Sequence, residues 1–447
     1  MTGIRVSHKA RDPGPPAWDV ILPSAQAHPV LEGSVVADWL VIGAGFAGLA
    51  AARRLRQLHP EAIIVLLEAR RIAEGPVGRN SGFMIDLPHN LASDDYAGAL
   101  EADRIQTAMN RSAISFARDA ACEYEMGSEA FVVSGKTNAA ASAKGMRHNL
   151  TYAKHLGTLG EDHELLDDRQ MREICGSDYY RGGLYTPGTA MLQPALFARG
   201  MADGLVSQGV KVFENSPVVA LQRSAGSWSA KTDIASVQSP RVILAVNGHV
   251  ESFGFFKRRL MHICLYASMT RPLSEDEQRR LGGERLWAFT PADPMGTTAR
   301  KIAGSGGTRI VVRNGFTWNP ARSVDEAGLK TLGRAHEKTF RARFAMLGDV
   351  DMEHSWGGFL CLSRNNVAAF GEVDEGLFSA CCQNGLGAAR GTLSGMLAAE
   401  QASGNETDHL RYMLAQPQPG RLPPEPVASI GANAVMRWGE FRAGAEL

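Results

Sequence analysis

Neither sign of charge dominates this chain: 47 lysines and arginines balance 47 aspartates and glutamates over 447 residues. Proteins that grip nucleic acid or anionic membranes concentrate basic residues on one surface, so both roles are disfavoured. Cysteine is scarce, with six residues at 122, 175, 264, 361, 381 and 382. None forms a C-x-x-C pair and no His/Cys cluster has zinc spacing, so no metal site is expected. So few cysteines in so long a chain do not build a disulfide scaffold, and a reducing compartment suits them. No apolar run approaches the ~18 residues of a membrane span. The opening MTGIRVSHKARDPGPPAWDV has no apolar core of the secretory type. These absences predict a cytoplasmic protein without a membrane span, with oligomerisation left open.

Periodic pattern begins at ADWLVIGAG, residues 37–45. A near-continuous apolar run of this kind suits a strand buried on both faces, as in a parallel sheet. FAGLAAARRLRQLH (46–59) reads as a helix and AIIVLLE (62–68) as a second buried strand. Strand, glycine turn, helix and strand make one βαβ unit. Further strand-like runs recur far away, at 211–248 and 376–382. That spacing predicts a nucleotide-binding domain of separated pieces (36–95, 165–250, 355–404) with a second domain inserted (96–164, 251–354). Residues 1–35 read as an extended arm and 405–447, with QPQPGRLPPEP, as a surface tail.

The turn itself is a G-x-G-x-x-G: Gly43-Ala44-Gly45-Phe46-Ala47-Gly48. Gly43 permits the tight turn, Gly45 lets backbone approach a pyrophosphate, and Gly48 allows close helix–strand packing. The helix start offers free N–H groups and a positive dipole end. Glu68 ends the next strand, where a carboxylate meets ribose hydroxyls. It favours a free 2′-hydroxyl, hence FAD or NAD over NADP.

An NAD enzyme continues its sheet with further βα units, whereas this chain inserts EGPVGRNSGFMIDLPHN (74–90) and a helical excursion. Here the sequence resembles the FAD-dependent amine and amino-acid oxidoreductases of the D-amino acid oxidase superfamily, which includes glycine, sarcosine and putrescine-derivative oxidases. Four segments carry the resemblance: the βαβ fingerprint, GRNSGFM, GGLYTPGTAMLQPALFARGMADGLVSQGVKVFENSPVVAL (182–221), and LFSACCQNGLGAARGTLSGMLA (377–398). Together they cover about residues 36–404. The segment WGGFLCLSRNN (356–366) departs from the family pattern, with Ser363 and Asn365 replacing threonine and aspartate.

The resemblance implies an α/β fold: a Rossmann-like FAD-binding domain of discontinuous segments, and an inserted α+β substrate domain with an antiparallel sheet. It implies that Phe46, Ala47, Ala69 and Arg70 join Gly43, Gly45, Gly48 and Glu68 around FAD. It adds Arg79, Asn80, Ser81, Gly82 and Met84 from the loop. Val218, Asn247 and Gly248 follow, then Asn384, Gly385, Leu386 and Gly387 from the C-terminal turn. Cys361 falls one residue out of register with a cysteine that holds FAD covalently in some sarcosine oxidases, and a buried small residue is the plainer reading. The implied activity is oxidation of a C–N bond in an amino acid or a secondary or modified amine. Hydride passes to flavin N5, the imine product hydrolyses, and oxygen or another acceptor reoxidises the flavin. A neutral amine is a sufficient donor, so no catalytic base is assigned.

A substrate carboxylate needs a cation, ideally arginine. TTARKIA and TRIVVRNGFTW, joined by GSGG, read as a hairpin that carries Arg300 and Arg313 as candidates. His262, Cys264 and Tyr266 alternate on HICLYASM, while Asp86 and His89 follow the flavin loop directly; all are candidate substrate contacts. Oxidation of a hydroxy acid on the same fold is an alternative. A flavin monooxygenase is another, although CCQNGLGAARG lacks the G-D-A-x-H motif of aromatic hydroxylases.

Overall fold

The computed structural model describes residues 3–8, 14–88, 90, 93 and 96–447. Its first sheet has six strands in the order Lys211–Phe213, Ile64–Leu67, Trp39–Ile42, Arg241–Leu244, Leu377–Cys381 and Ala369–Asp374. The first five run parallel and the last is antiparallel. The sheet is thus assembled from distant parts of the chain, as the separated apolar runs predicted.

Successive residues of these strands point to opposite faces, and each face has its own core. Trp39, Val41, Ile64 and Leu66 pack with Leu49, Ala52, Leu397 and Ala398 of helices Phe46–Leu58 and Gly387–Ser403. Leu40, Ile42, Val65 and Leu67 pack instead on Leu221, Trp228 and Val237. Two buried faces explain why the strands read as unbroken apolar runs. The two helices cross closely: a Cβ on Gly395 would lie 2.0 Å from the Ala47 carbonyl oxygen.

The second large sheet has eight strands. Their order is Met352–Ser363, Leu260–Thr270, Gly307–Trp318, Thr298–Gly304, Trp287–Pro291, Lys136–Ala140, Gly182–Thr186 and Glu164–Asp167. Only the pairing of Trp287–Pro291 with Lys136–Ala140 is parallel. The expected hairpin closes from Thr298↔Arg313 to Gly304↔Gly307. Glu164–Asp167, Gly182–Thr186 and Met352–Ser363 belong to this sheet, although they fall at or within segments assigned to the nucleotide-binding pieces. Their partners are remote in sequence, and local pattern carries no record of remote pairing.

Both chain ends are more structured than their composition implied. Gly3–Arg5 and Gly33–Val36 are the two edges of a five-stranded sheet. Between them Ala17–Val20 is helical, with Trp18 fully buried. Residues 405–447 hold helices Asp408–Ala415 and Val427–Ala443. The carboxylate of Glu446, 2% exposed, accepts N–H groups of Ala141 and Ser142 and the Ser142 hydroxyl at 2.7–3.1 Å. No helix among the described residues is long and apolar enough to cross a membrane.

Candidate functional site

A cleft of about 470 Å³ runs from the glycine turn to the eight-stranded sheet. At one end Gly45 caps helix Phe46–Leu58 without any side-chain cap hydrogen bond, so first-turn N–H groups face the cleft unclaimed by a cap. A Cβ on Gly45 would meet nothing within 4 Å, whereas one on Gly43 would lie 2.6 Å from the Ala245 carbonyl oxygen. Gly43 also has φ +101°, a region that glycine enters without strain. Phe46 and Ala47 line the cleft beside them. Gly48 does not. A Cβ there would sit 1.7 Å from the Gly43 carbonyl oxygen, so this glycine holds helix against turn.

Glu68, Ala69, Arg70 and Val218 form the next stretch of wall. The Glu68 carboxylate accepts the Ala44 N–H at 2.9 Å and the Arg70 N–H at 3.1 Å. Burial raises its pKa against those two hydrogen bonds. Across the cleft, Asn247 and Gly248 follow strand Arg241–Leu244. The buried Asn247 Oδ1 has no hydrogen-bond donor among the described residues.

The loop after Glu68 is shaped by its own asparagine. Asn80 Oδ1 accepts the Gly82 N–H at 2.8 Å, and its Nδ2 donates to the Val77 carbonyl at 2.6 Å. Trp18 and Trp356 donate to the carbonyls of Asn80 and Arg79 at 2.8 and 3.1 Å. Arg79, Asn80 and Ser81 therefore line the cleft. Gly82 and Met84 lie behind it. Gly82 has φ +78°, and a Cβ there would meet the Arg300 guanidinium at 2.1 Å and the Leu192 carbonyl oxygen at 2.4 Å. Met84 is fully buried and pairs with Ala190.

Gly385, Leu386 and Gly387 close the far wall. Asn384 turns away from the cleft: its Oδ1 accepts the Ser363 N–H at 2.8 Å and its Nδ2 donates to the Val367 carbonyl at 2.9 Å. It ties the C-terminal turn to the departing WGGFLCLSRNN segment. Cys361 lines the cleft, and the neighbouring Cys382 thiol together with burial holds its thiol well above the ordinary range.

On the side of the eight-stranded sheet, Arg313, His262 and Tyr266 line the cleft. Arg313 Nε lies 3.3 Å from Ser81 Oγ, and its guanidinium carbon stands 5.7 Å from the Phe316 ring centre. Burial lowers its pKa to about 10. No carboxylate pairs with Arg313 among the described residues. His262 Nε2 is 2.6 Å from Glu251 Oε2, and the Tyr266 hydroxyl is 2.8 Å from Thr317 Oγ1.

Three expected contacts do not reach the cleft. Arg300 shares a sheet face with Arg313, but the chain at Ser81–Gly82 stands between them. Its Nη1 donates to the Leu192 and Ser81 carbonyls at 2.7 and 3.1 Å. Asp86 is buried and accepts from Thr189 Oγ1 and Arg111 Nη2, both at 3.2 Å. His89 lies outside the described residues. Cys264 does not line the cleft either: Ile263, Leu265 and Ala267 of the same strand do, and alternation puts Cys264 on the other face.

Sequence reasoning missed Tyr96, His249, Arg322 and Met436, all in the cleft wall. Tyr96 adopts φ +67° and donates its hydroxyl to the Pro291 carbonyl at 2.9 Å. Arg322 bonds the Gly248 carbonyl at 3.3 Å and Ser252 Oγ at 3.0 Å. Met436 comes from the Val427–Ala443 helix, whose AVMRWGEF stretch offered a periodic signal hidden by the prolines before it.

A glycine turn that opens into a cavity under a second, mostly antiparallel sheet is the arrangement of a dinucleotide-binding protein. A family model described as FAD dependent oxidoreductase matches residues 38–401, and the chain belongs to that family. Its cofactor is FAD. The probable oxidoreductase OrdL of Haemophilus influenzae is 25% identical over 379 residues, covering 83% of this chain and 84% of that one. The gamma-glutamylputrescine oxidoreductase of Escherichia coli is 24% identical over 414 residues, covering 90% and 92%. Among solved structures, glycine oxidase from Geobacillus kaustophilus superposes with a TM-score of 0.70 at 16% identity, covering 87% of this chain and all of that one. L-amino acid deaminase from Proteus vulgaris gives 0.67 at 14% identity, covering 88% and 100%. At such identities the structures speak for the fold.

Proposed function

We propose that this chain oxidises a C–N bond in an amino acid or a secondary or modified amine that bears a carboxylate. The single observation that carries the reading is Arg313. It is a half-buried cation in the cleft without a carboxylate partner among the described residues, beside the loop that carries Ser81. A partly desolvated guanidinium with unclaimed donors is suited to receive a planar anion.

The residues present fit FAD. Open space at Gly45, uncapped N–H groups behind it, the Glu68 carboxylate and the donor-free Asn247 Oδ1 suit a pyrophosphate and hydroxyl-bearing chain. Gly43, Phe46, Ala47, Glu68, Ala69, Arg70 and Val218 would hold the adenosine half. Arg79, Asn80, Ser81, Asn247, Gly248, Gly385, Leu386 and Gly387 would hold the flavin half. Bound FAD supplies the hydride acceptor, N5.

The protein's part is placement. Arg313 fixes the carboxylate. Tyr266 and His262, oriented by Thr317 and Glu251, border the cavity. Phe316, Met295 and Met436 give it apolar walls that exclude water. The amine enters neutral, so its own lone pair assists departure of the hydride and no side chain must remove a proton first. The likeness in sequence to a gamma-glutamylputrescine oxidoreductase supports an amine-bearing substrate.

The test is steady-state kinetics of Arg313→Met on the best substrate of an amino-acid and N-alkylamine panel. Loss of a charged hydrogen bond, about 1.5–3 kcal/mol, raises KM roughly ten- to a hundredfold. The same variant leaves KM unchanged for an amine without a carboxylate. An unchanged KM for the acid removes Arg313 from the role.

A further inference from the structure

One face of the eight-stranded sheet carries Lys136, Ala288, Thr290, Thr298, Arg300 and Arg313 together. Register requires it: Asn138 pairs with Thr290, Ala288 with Arg300, and Thr298 with Arg313. Residues two apart on a strand share a face. The chain at Ser81–Gly82 crosses this face and divides it. Arg313 stands on the cleft side. On the other side is a second cavity, of about 460 Å³, with Arg300 and Lys136 in its wall and the small Ala288 between them. Trp18, Ile21, Val132 and Met191 give this cavity an apolar wall.

Neither cation has a carboxylate partner among the described residues. Arg300 Nη1 meets only carbonyl oxygens, and its guanidinium carbon lies 5.3 Å from the Trp18 ring centre. Lys136 Nζ meets Asn138 Oδ1 and, at 3.3 Å, Thr290 Oγ1. The nearest charge felt by Lys136, on Asp86, is engaged by Arg111 and Thr189. Three glutamates also line the cavity. Glu129 is bonded by the N–H and hydroxyl of Ser305, Glu164 is exposed on an edge strand, and Glu284 is exposed. Burial lowers Arg300 to about 9 and Lys136 to about 8. Two desolvated cations without a counter-ion are costly, and a bound anion relieves that cost.

We propose that this second cavity binds a small carboxylate with an apolar body, its carboxylate held by Arg300 and Lys136 over Ala288 and its body against Trp18, Ile21, Val132 and Met191. The site is separate from the oxidation cleft yet joined to it. Arg300 holds the carbonyl of Ser81, whose hydroxyl faces Arg313. A ligand that draws on Arg300 therefore acts on the loop lining the cleft.

The test is calorimetric titration of phenylacetate into FAD-loaded protein carrying Arg313→Met, which silences the cleft cation. One binding event is expected to remain. Adding Arg300→Met weakens it roughly ten- to a hundredfold, as loss of a charged hydrogen bond does. Ala288→Leu fills the floor between the cations while leaving the carbonyl bonds of Arg300 intact, and weakens binding comparably. It decides the matter if Arg300→Met does not fold. Inorganic phosphate, lacking an apolar body, binds more weakly than phenylacetate. Absence of any binding in the Arg313→Met protein overturns the proposal. So does equal affinity across the variants, or phosphate binding as tightly as phenylacetate.

Discussion

Arg300 and Arg313 carry the same side chain on one hairpin and one sheet face, yet they serve different cavities. The chain at Ser81–Gly82 separates them, so Arg300 is bonded to carbonyls behind the loop and Arg313 stands in the cleft. Substituting each by methionine should therefore have separable effects. Arg313→Met raises KM for a carboxylate substrate. Arg300→Met frees the Ser81 and Leu192 carbonyls and lowers the unfolding free energy by about 1–3 kcal/mol. Denaturant titration beside kinetics distinguishes them, and a stability loss confined to Arg313→Met would contradict the assignment. The sequence placed both arginines on one hairpin. It could not show which was screened, because the screening residues lie more than two hundred positions away.

At the scale of elements, the glycine turn makes the sharpest prediction. A methyl group at Gly45 enters open space at the cleft, whereas one at Gly48 collides with the Gly43 carbonyl. Gly45→Ala should leave the melting temperature of the FAD-free protein unchanged and weaken FAD binding, measured by fluorescence titration of that protein. Gly48→Ala should destabilise the FAD-free protein by about 1–3 kcal/mol or more, as overpacking does. If the two variants behave alike, the division of roles fails. This part of the site was legible in the sequence because turn, helix and strand are contiguous and each glycine has a local reason. The C-terminal segment was not legible: its prolines suggested a loose tail. Yet Glu446 binds the start of helix Ala143–Leu159 and Met436 lines the cleft. Glu446→Gln should cost about 1–3 kcal/mol, and a melting curve that matched the parent protein would refute that anchoring role.

For the whole molecule, two histidines, one in the cleft wall and one fully buried, contribute to acid sensitivity. Burial, aided by Arg322, lowers His249 to about 3, and burial lowers His336 to about 4. Both sit near 6.5 when unfolded, so between those values the unfolded chain binds more protons than the folded one. Stability is then complete above pH 6.5 and falls as the pH drops toward 4 and 3. Denaturant midpoints across that range should show the decline, and His249→Gln should flatten it; an unaltered slope would exclude His249 as a source. The overall architecture was foreseeable from apolar runs buried on both faces and from the separation of the strand-like segments. The assignment of remote strands to the eight-stranded sheet was not, since pairing between distant strands is decided by tertiary packing. The same limit applies to chemistry: a neutral amine needs no side-chain base, so the reaction leaves few marks on the residues. The direct measurement is anaerobic mixing of the FAD-loaded protein with a panel of amino acids, N-alkyl amino acids and hydroxy acids, followed at the oxidised flavin absorbance band. The account predicts rapid bleaching by at least one carboxylate-bearing amine and slow or weak bleaching of Arg313→Met by the same compound. Bleaching by hydroxy acids alone, with every amine inert, would contradict it.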